Sequence, residues 1–207
     1  MYIPGHFAEE DRDRIFALMR QHSFGTLVTV NNGAPQVTHL PFLIDADEGT
    51  GGTLYGHFAR ANPHWKTLAN GGRALAIFQG PHSYVSPSWY EERSNVPTWN
   101  YAVAHAAGKV ELLDDRDAVH DIVSRLTETH ESGRTEPWRL ESAAKHMDKL
   151  ISAIVGFRIR IETLEGKFKL SQNKTDADRA GVIDALSTSP DTGVAGVARL
   201  MRENQPS

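Results

Sequence analysis

The chain has 207 residues, 40% hydrophobic and 23% charged, with a net charge of -4 and no cysteine. This suits one large soluble domain or one domain with a tail, offers no general basic field for nucleic acid, and excludes disulfides, thiolate metal sites and cysteine nucleophiles. Met1–Gly5 lacks the charged and apolar regions of a secretion signal, and no apolar run approaches the ~20 residues needed to cross a bilayer, so a cytoplasmic protein with no membrane contact is expected.

Ala8 to His22 carries Ile15, Leu18 and Met19 at helical spacing and predicts an amphipathic helix. Phe24 to Val30 is β-rich, Asn31-Asn32-Gly33 signals a tight hairpin, and Pro35 to Ile44 returns as a second strand. Asp45 to Gly52 is an acidic, glycine-rich turn before a third strand, Thr53 to Phe58. Asn62 caps a helix that Gly71-Gly72 ends, and a fourth strand runs from Arg73 to Gln79. Pro81, Pro87 and Pro97 divide the next stretch into a strand at Ser83 to Ser86, a loop over Pro87 to Val96 and a long strand from Pro97 to Leu113.

Asp114 or Asp115 caps a helix to about His130 whose apolar face is Val119, Ile122, Val123 and Leu126. After a polar connector comes a short helix, Leu140 to Leu150. Ile154 to Thr163 alternates as a half-exposed strand, Glu165-Gly166 reads as a turn, and Lys167 to Leu170 as its paired strand. Thr175-x-x-Asp178 opens a helix through Leu186, and Gly193 to Asn204 forms the last one. The order predicts a mainly β fold with peripheral helices, a six- or seven-stranded antiparallel barrel closed to remove exposed edges. One domain, 1–207, is expected, with a C-terminal helical extension from about 174.

Four stretches can carry chemistry. In Leu54 to Trp65 a strand end, Arg60 and the start of a helix capped by Asn62 and opened by Pro63 make a seat for a phosphate, through free N–H groups and a forked guanidinium. An ordinary strand-to-helix turn has the same pattern. In Gln36 to Phe42, Pro41 cannot donate to a ladder, so the strand breaks there and either opens backbone groups to a flat ligand or forms a simple bulge. The block containing Tyr84, Trp89, Tyr90, Trp99 and Tyr101 mixes rings with hydroxyls and the Asn100 amide, which suits a planar heteroaromatic ligand, a core or a subunit interface. In Lys167 to Lys174, a lysine, an amide and a hydroxyl can meet a phosphate or the polar edge of a ring, although a solvated strand end reads the same way. Ten histidines are scattered without a His-Glu-x-x-His, so no metal is expected. No Gly-x-Ser-x-Gly supports a serine nucleophile.

His39-x-Pro41, Gly56-His57-Phe58-Ala59-Arg60-Ala61-Asn62-Pro63, Tyr84-Val85-Ser86-Pro87-x-Trp89-Tyr90, Val96-Pro97-Thr98-Trp99-Asn100-Tyr101 and Lys169-Leu170-Ser171-Gln172-Asn173-Lys174 together resemble the PaiB family of FMN-binding negative transcriptional regulators. The resemblance spans nearly the whole chain in order. It implies an FMN-binding split β-barrel similar to the pyridoxine-5'-phosphate oxidase fold, a homodimer with flavin near the interface, and repression of protease and sporulation genes in some bacteria. On it, Arg60 and Asn62 hold the FMN phosphate, and Lys169 and Gln172 meet the phosphate or ring edge. His39, Leu40, Pro41 and Phe42 line the isoalloxazine, His57 joins the cofactor site, and Trp89, Thr98 and Asn100 close the slot. DNA enters by the resemblance alone, since no helix-turn-helix signature is present. The alternative is a flavin-dependent, NAD(P)H-linked oxidoreductase on the same scaffold, for which no dedicated acid or base stands out. Heme handling through His57, His82 or His105 ranks last.

Overall fold

A computed structural model of the chain describes residues 1–204. Its strands are β1 (Ala8–Glu9), β2 (Phe24–Asn31), β3 (Ala34–Pro41), β4 (Leu43–Asp45), β5 (Thr53–Ala59), β6 (Arg73–Val85), β7 (Thr98–Leu113) and β8 (Ile154–Lys169). Its α-helices are α1 (Arg12–Gln21), α2 (Arg116–Glu131), α3 (Met147–Ser152), α4 (Asp176–Ser187) and α5 (Thr192–Glu203). The strand order is β3-β2-β6-β7-β8-β5-β4, with β1 added to β8. The β1–β8, β2–β3, β2–β6, β4–β5 and β5–β8 pairs are antiparallel. Among the described residues no helix is long and apolar enough to cross a membrane.

The chain forms two compact units. The central unit comprises His22–Phe78 and His105–Leu164. In it β2 and β3 pair from Phe24↔Pro41 to Asn31↔Ala34, and the expected hairpin turns on Asn32 and Gly33 at φ 50 and 79. Four buried phenylalanines build the core: Phe42 meets Phe78 and Phe157 with centroids 5.1 and 6.1 Å apart, and Phe58 meets Phe157 at 4.9 Å. Each such buried ring contributes about 1.5–3 kcal/mol by leaving water. Asp115 caps α2 by accepting from the Asp117 and Ala118 N–H groups, and Val119, Ile122 and Leu126 are its buried face, as the spacing predicts.

The terminal unit comprises Met1–Gln21, Gln79–Ala104 and the chain from Glu165 onward. Here α4 packs on α5 through an apolar face that includes Val182, Ile183, Leu186, Val197 and Met201. Arg179 is buried and donates to the carbonyls of Met201 and Asn204, which neutralises the end of α5.

Several expectations need correction. The first helix starts at Arg12 because Asp11 accepts from the Asp13 N–H and so caps it, leaving Ala8–Glu9 to pair with β8. β6 runs unbroken through Pro81; its ladder to β2 covers Leu75 to Ile77, so the missing N–H breaks no bond there. β8 also runs unbroken, with no turn at Glu165-Gly166. Gly166 serves close approach instead: a Cβ there would lie 2.7 Å from the Ile15 side chain. The short helix after the connector is a 3-10 segment, Leu140–His146, leading into α3. Among the described residues eight strands stand where six or seven were expected, since the break at Phe42 creates β4 and Ala8–Glu9 supply β1.

Candidate functional site

Arg60 leaves the end of β5. Its Nε donates to the Ser152 carbonyl and its Nη2 to the Ile154 carbonyl, both at 2.9 Å, and Nη2 also pairs with Asp114. Two carbonyls at the junction of α3 and β8 therefore aim the guanidinium. It lines a cavity of about 320 Å³ with Asp114, Arg116, Val119, Asp148 and Ile151. Arg116 is paired with Asp148.

The helix expected at Asn62 is a six-residue 3-10 segment, Pro63–Leu68. Pro63 has no N–H to offer, and Asn62 Oδ1 already accepts from the His64 N–H at 3.0 Å. Asn62 Nδ2 donates to Thr38 Oγ1 at 3.2 Å. The free N–H groups expected for an anion at this turn are thus largely used, and the positive charge of the site rests on side chains. His64 is buried, with Nδ1 2.7 Å from Thr38 Oγ1 and Nε2 2.7 Å from Thr29 Oγ1. A neutral imidazole satisfies both hydroxyls, and burial pushes its pKa down.

β3 breaks after Pro41, as its sequence predicts. His39 Nδ1 lies 3.0 Å from Thr26 Oγ1. Leu40 and Phe42 are buried in the core, so only their backbone can face a ligand. Pro41 and His57 line a second cavity of about 300 Å³, walled by Val123, Leu126, His130 and Trp138. Among the described residues His57 Nδ1 is buried without a hydrogen-bond partner, and burial lowers the pKa of the ring. An unpaired buried polar atom costs about 1–3 kcal/mol, which a ligand offering a partner would recover.

In the terminal unit, Lys169 Nζ donates to Thr98 Oγ1 at 2.7 Å and the Trp99 carbonyl at 2.6 Å. Burial, then Lys167 and Lys174, push its pKa down. Asn100 is fully buried and donates to Ser171 Oγ at 2.9 Å. Gln172 accepts from the Leu170 N–H at 2.7 Å and donates to the Phe168 carbonyl at 2.5 Å, bracing the turn where Ser171 takes φ 64. Asn100 and Gln172 therefore spend their amides inside the protein. Trp89 is half-buried and ends a 3-10 turn, Pro87–Trp89. The loop after it hangs on buried Asp178, which accepts from the Glu91 and Glu92 N–H groups at 2.8 and 3.2 Å and from Asn95 Nδ2 at 3.2 Å. Lys174 holds Asn95 from the other side.

The sequence-selected residues thus fall into two groups. His39 to Phe42, His57, Arg60 and Asn62 lie in the central unit; Trp89, Thr98, Asn100, Lys169 and Gln172 lie in the terminal unit. Arg116, Asp148 and the loop-holding role of Asp178 were not legible beforehand. Asp178 shows in the sequence as a capping residue, but its carboxylate goes to the loop instead.

Residues 1–163 match the family model described as "Putative FMN-binding domain". The chain is 36% identical over 204 residues to "Protease synthase and sporulation protein PAI 2" of Bacillus subtilis (strain 168), covering 98% of this chain and 97% of that one. It is 30% identical over 243 aligned positions to the uncharacterized protein AN0679 of Emericella nidulans, covering 98% and 97%. The solved FAD and heme binding protein from Mycobacterium smegmatis matches with a TM-score of 0.60 at 20% identity, over 84% of this chain and 78% of that one. That likeness is one of fold, the split β-barrel. With its family match and its likeness to the Bacillus protein along nearly the whole of both chains, the chain belongs to the PaiB-like family of FMN-binding proteins.

Proposed function

We propose that this chain is a cytoplasmic, FMN-dependent regulatory protein that holds the FMN phosphate on Arg60 and sets the flavin ring against Pro41 and His57. The observation that carries the reading is the guanidinium of Arg60, pinned by the Ser152 and Ile154 carbonyls at the wall of a cavity of about 320 Å³. His57 supports it with a buried Nδ1 that lacks a partner among the described residues and lines an apolar cavity, where a ring-edge group can pair with it. Both features fit a phosphorylated, planar, heteroaromatic cofactor.

His39 and the backbone of Leu40 to Phe42 border the ring at the strand break. Asn62 acts by positioning, through its cap on His64. Thr98, Lys169 and Trp89 reach the flavin from the second subunit of a homodimer, with Asn100 and Gln172 holding their backbone in place. The whole chain acts as one split-barrel domain with a helical extension from about 174, whose last three residues lie outside the described residues. Bound FMN supplies one- and two-electron redox chemistry; the chain binds it, orients it and limits water around it. The regulatory role is carried over from the family and from the Bacillus relative, whose name links it to protease synthase and sporulation.

The test is a fluorescence titration with FMN and riboflavin. Arg60→Ala should weaken FMN about 10–100-fold, the loss of one or two charge-assisted hydrogen bonds, and leave riboflavin nearly unchanged. Equal loss of both ligands would remove Arg60 from the phosphate role.

A further inference from the structure

The cavity at Arg60 holds two cations and two anions in register: Arg60 with Asp114, and Arg116 with Asp148. The partners are unequal. Arg60 is fastened to two backbone carbonyls and its side chain is 40% exposed, whereas the Asp114 side chain is 65% exposed. Asp148 is 85% exposed against 60% for Arg116. A carboxylate that is mostly in water gains little from such a pair and gives it up cheaply. A phosphate monoester carries more charge and more acceptor oxygens than either carboxylate, and two guanidinium forks suit it.

We propose that Asp114 and Asp148 are built-in counter-ions of the phosphate seat. A phosphate monoester, whether on FMN or free, binds by displacing them from Arg60 and Arg116, and Arg116 is a second phosphate ligand. This rests on the placement of the FMN phosphate at Arg60. Asp114 directly precedes Asp115, the cap of α2, and Asp148 lies in α3, so the exchange also reaches the start of one helix and the body of another.

The experiment uses the full chain and titrates FMN, riboflavin and inorganic phosphate. Asp114→Asn and Asp148→Asn, which keep shape and remove charge, should each tighten FMN about two- to fivefold and leave riboflavin unchanged. Arg116→Ala should weaken FMN about tenfold. Where riboflavin is too weak to titrate, the rise in Tm caused by inorganic phosphate replaces it and should be larger in Asp114→Asn than in the parent. Unchanged or weaker FMN binding in both asparagine variants overturns the counter-ion role. If Arg60→Ala still selects against FMN in that case, the phosphate seat stands and only this inference falls. If Arg60→Ala loses FMN and riboflavin alike, both fall.

Discussion

Arg60 Nε and the carbonyl oxygen of Ser152 are joined by a hydrogen bond of 2.9 Å. The side chain is therefore aimed by backbone, and the identity of residue 152 matters less than where its carbonyl sits. Arginine is needed because one planar group must bond two carbonyls and still present a fork. Lysine keeps the charge and loses that geometry. Arg60→Lys should weaken FMN about tenfold, with riboflavin within twofold of the parent, read by flavin fluorescence quenching. Parent-like FMN affinity in this variant would mean that charge alone suffices.

Acid should destabilise the protein through His57 and His64. Burial lowers the pKa of His57 and His64 in the folded chain below the unfolded value of about 6.5. Between the two values the unfolded chain binds more protons. Stability from this source is therefore complete above about pH 6.5 and lost as pH falls below it. The urea midpoint should drop between pH 7.5 and 5.5, and His64→Gln should narrow the drop. A gap of the same size in His64→Gln would remove His64 as a contributor.

Asp178 should behave as the peg of the loop after Trp89. Its buried carboxylate accepts from two backbone N–H groups and from Asn95, which lie nearer the surface. Asp178→Ala leaves those donors without a partner, at about 1–3 kcal/mol for each one that stays buried. Limited proteolysis should then cut the chain between Glu91 and Asn95 faster than in the parent. Cleavage at the parent rate would mean that the loop is held by something else.

The ring-lined groove of the terminal unit bears on assembly. Gln79, His82, Trp99 and Tyr101 line about 430 Å³ there, and Trp99 is 53% exposed. Large exposed rings in one patch mark a surface that pairs. Light scattering should report a dimer for the parent and a monomer for Trp99→Glu. A monomeric parent, or a variant that stays dimeric, would move the interface elsewhere.

The extended and helical segments were largely legible because their periodicity and caps are local. Asn32-Gly33, Asp115 and Thr175 act where the sequence puts them. The misreadings came from partners distant in sequence. Gly166 reads as a turn until Ile15 is placed against it, and Pro81 reads as a break until the ladder on that side is seen to end at Ile77. In the site, Arg60 and the break at Pro41 were visible as residue types with special backbone chemistry. Arg116 was not, because nothing local distinguishes a helix arginine that borders a cavity from one that faces water.

Ala8 pairs with Lys167. A ribosome makes the first of these long before the second, so Ala8–Glu9 wait for their partner strand until Gly166 and Lys167 have been made. That pairing joins segments far apart in sequence, and a chain cut short before Gly166 would leave Ala8–Glu9 without the strand they pair with.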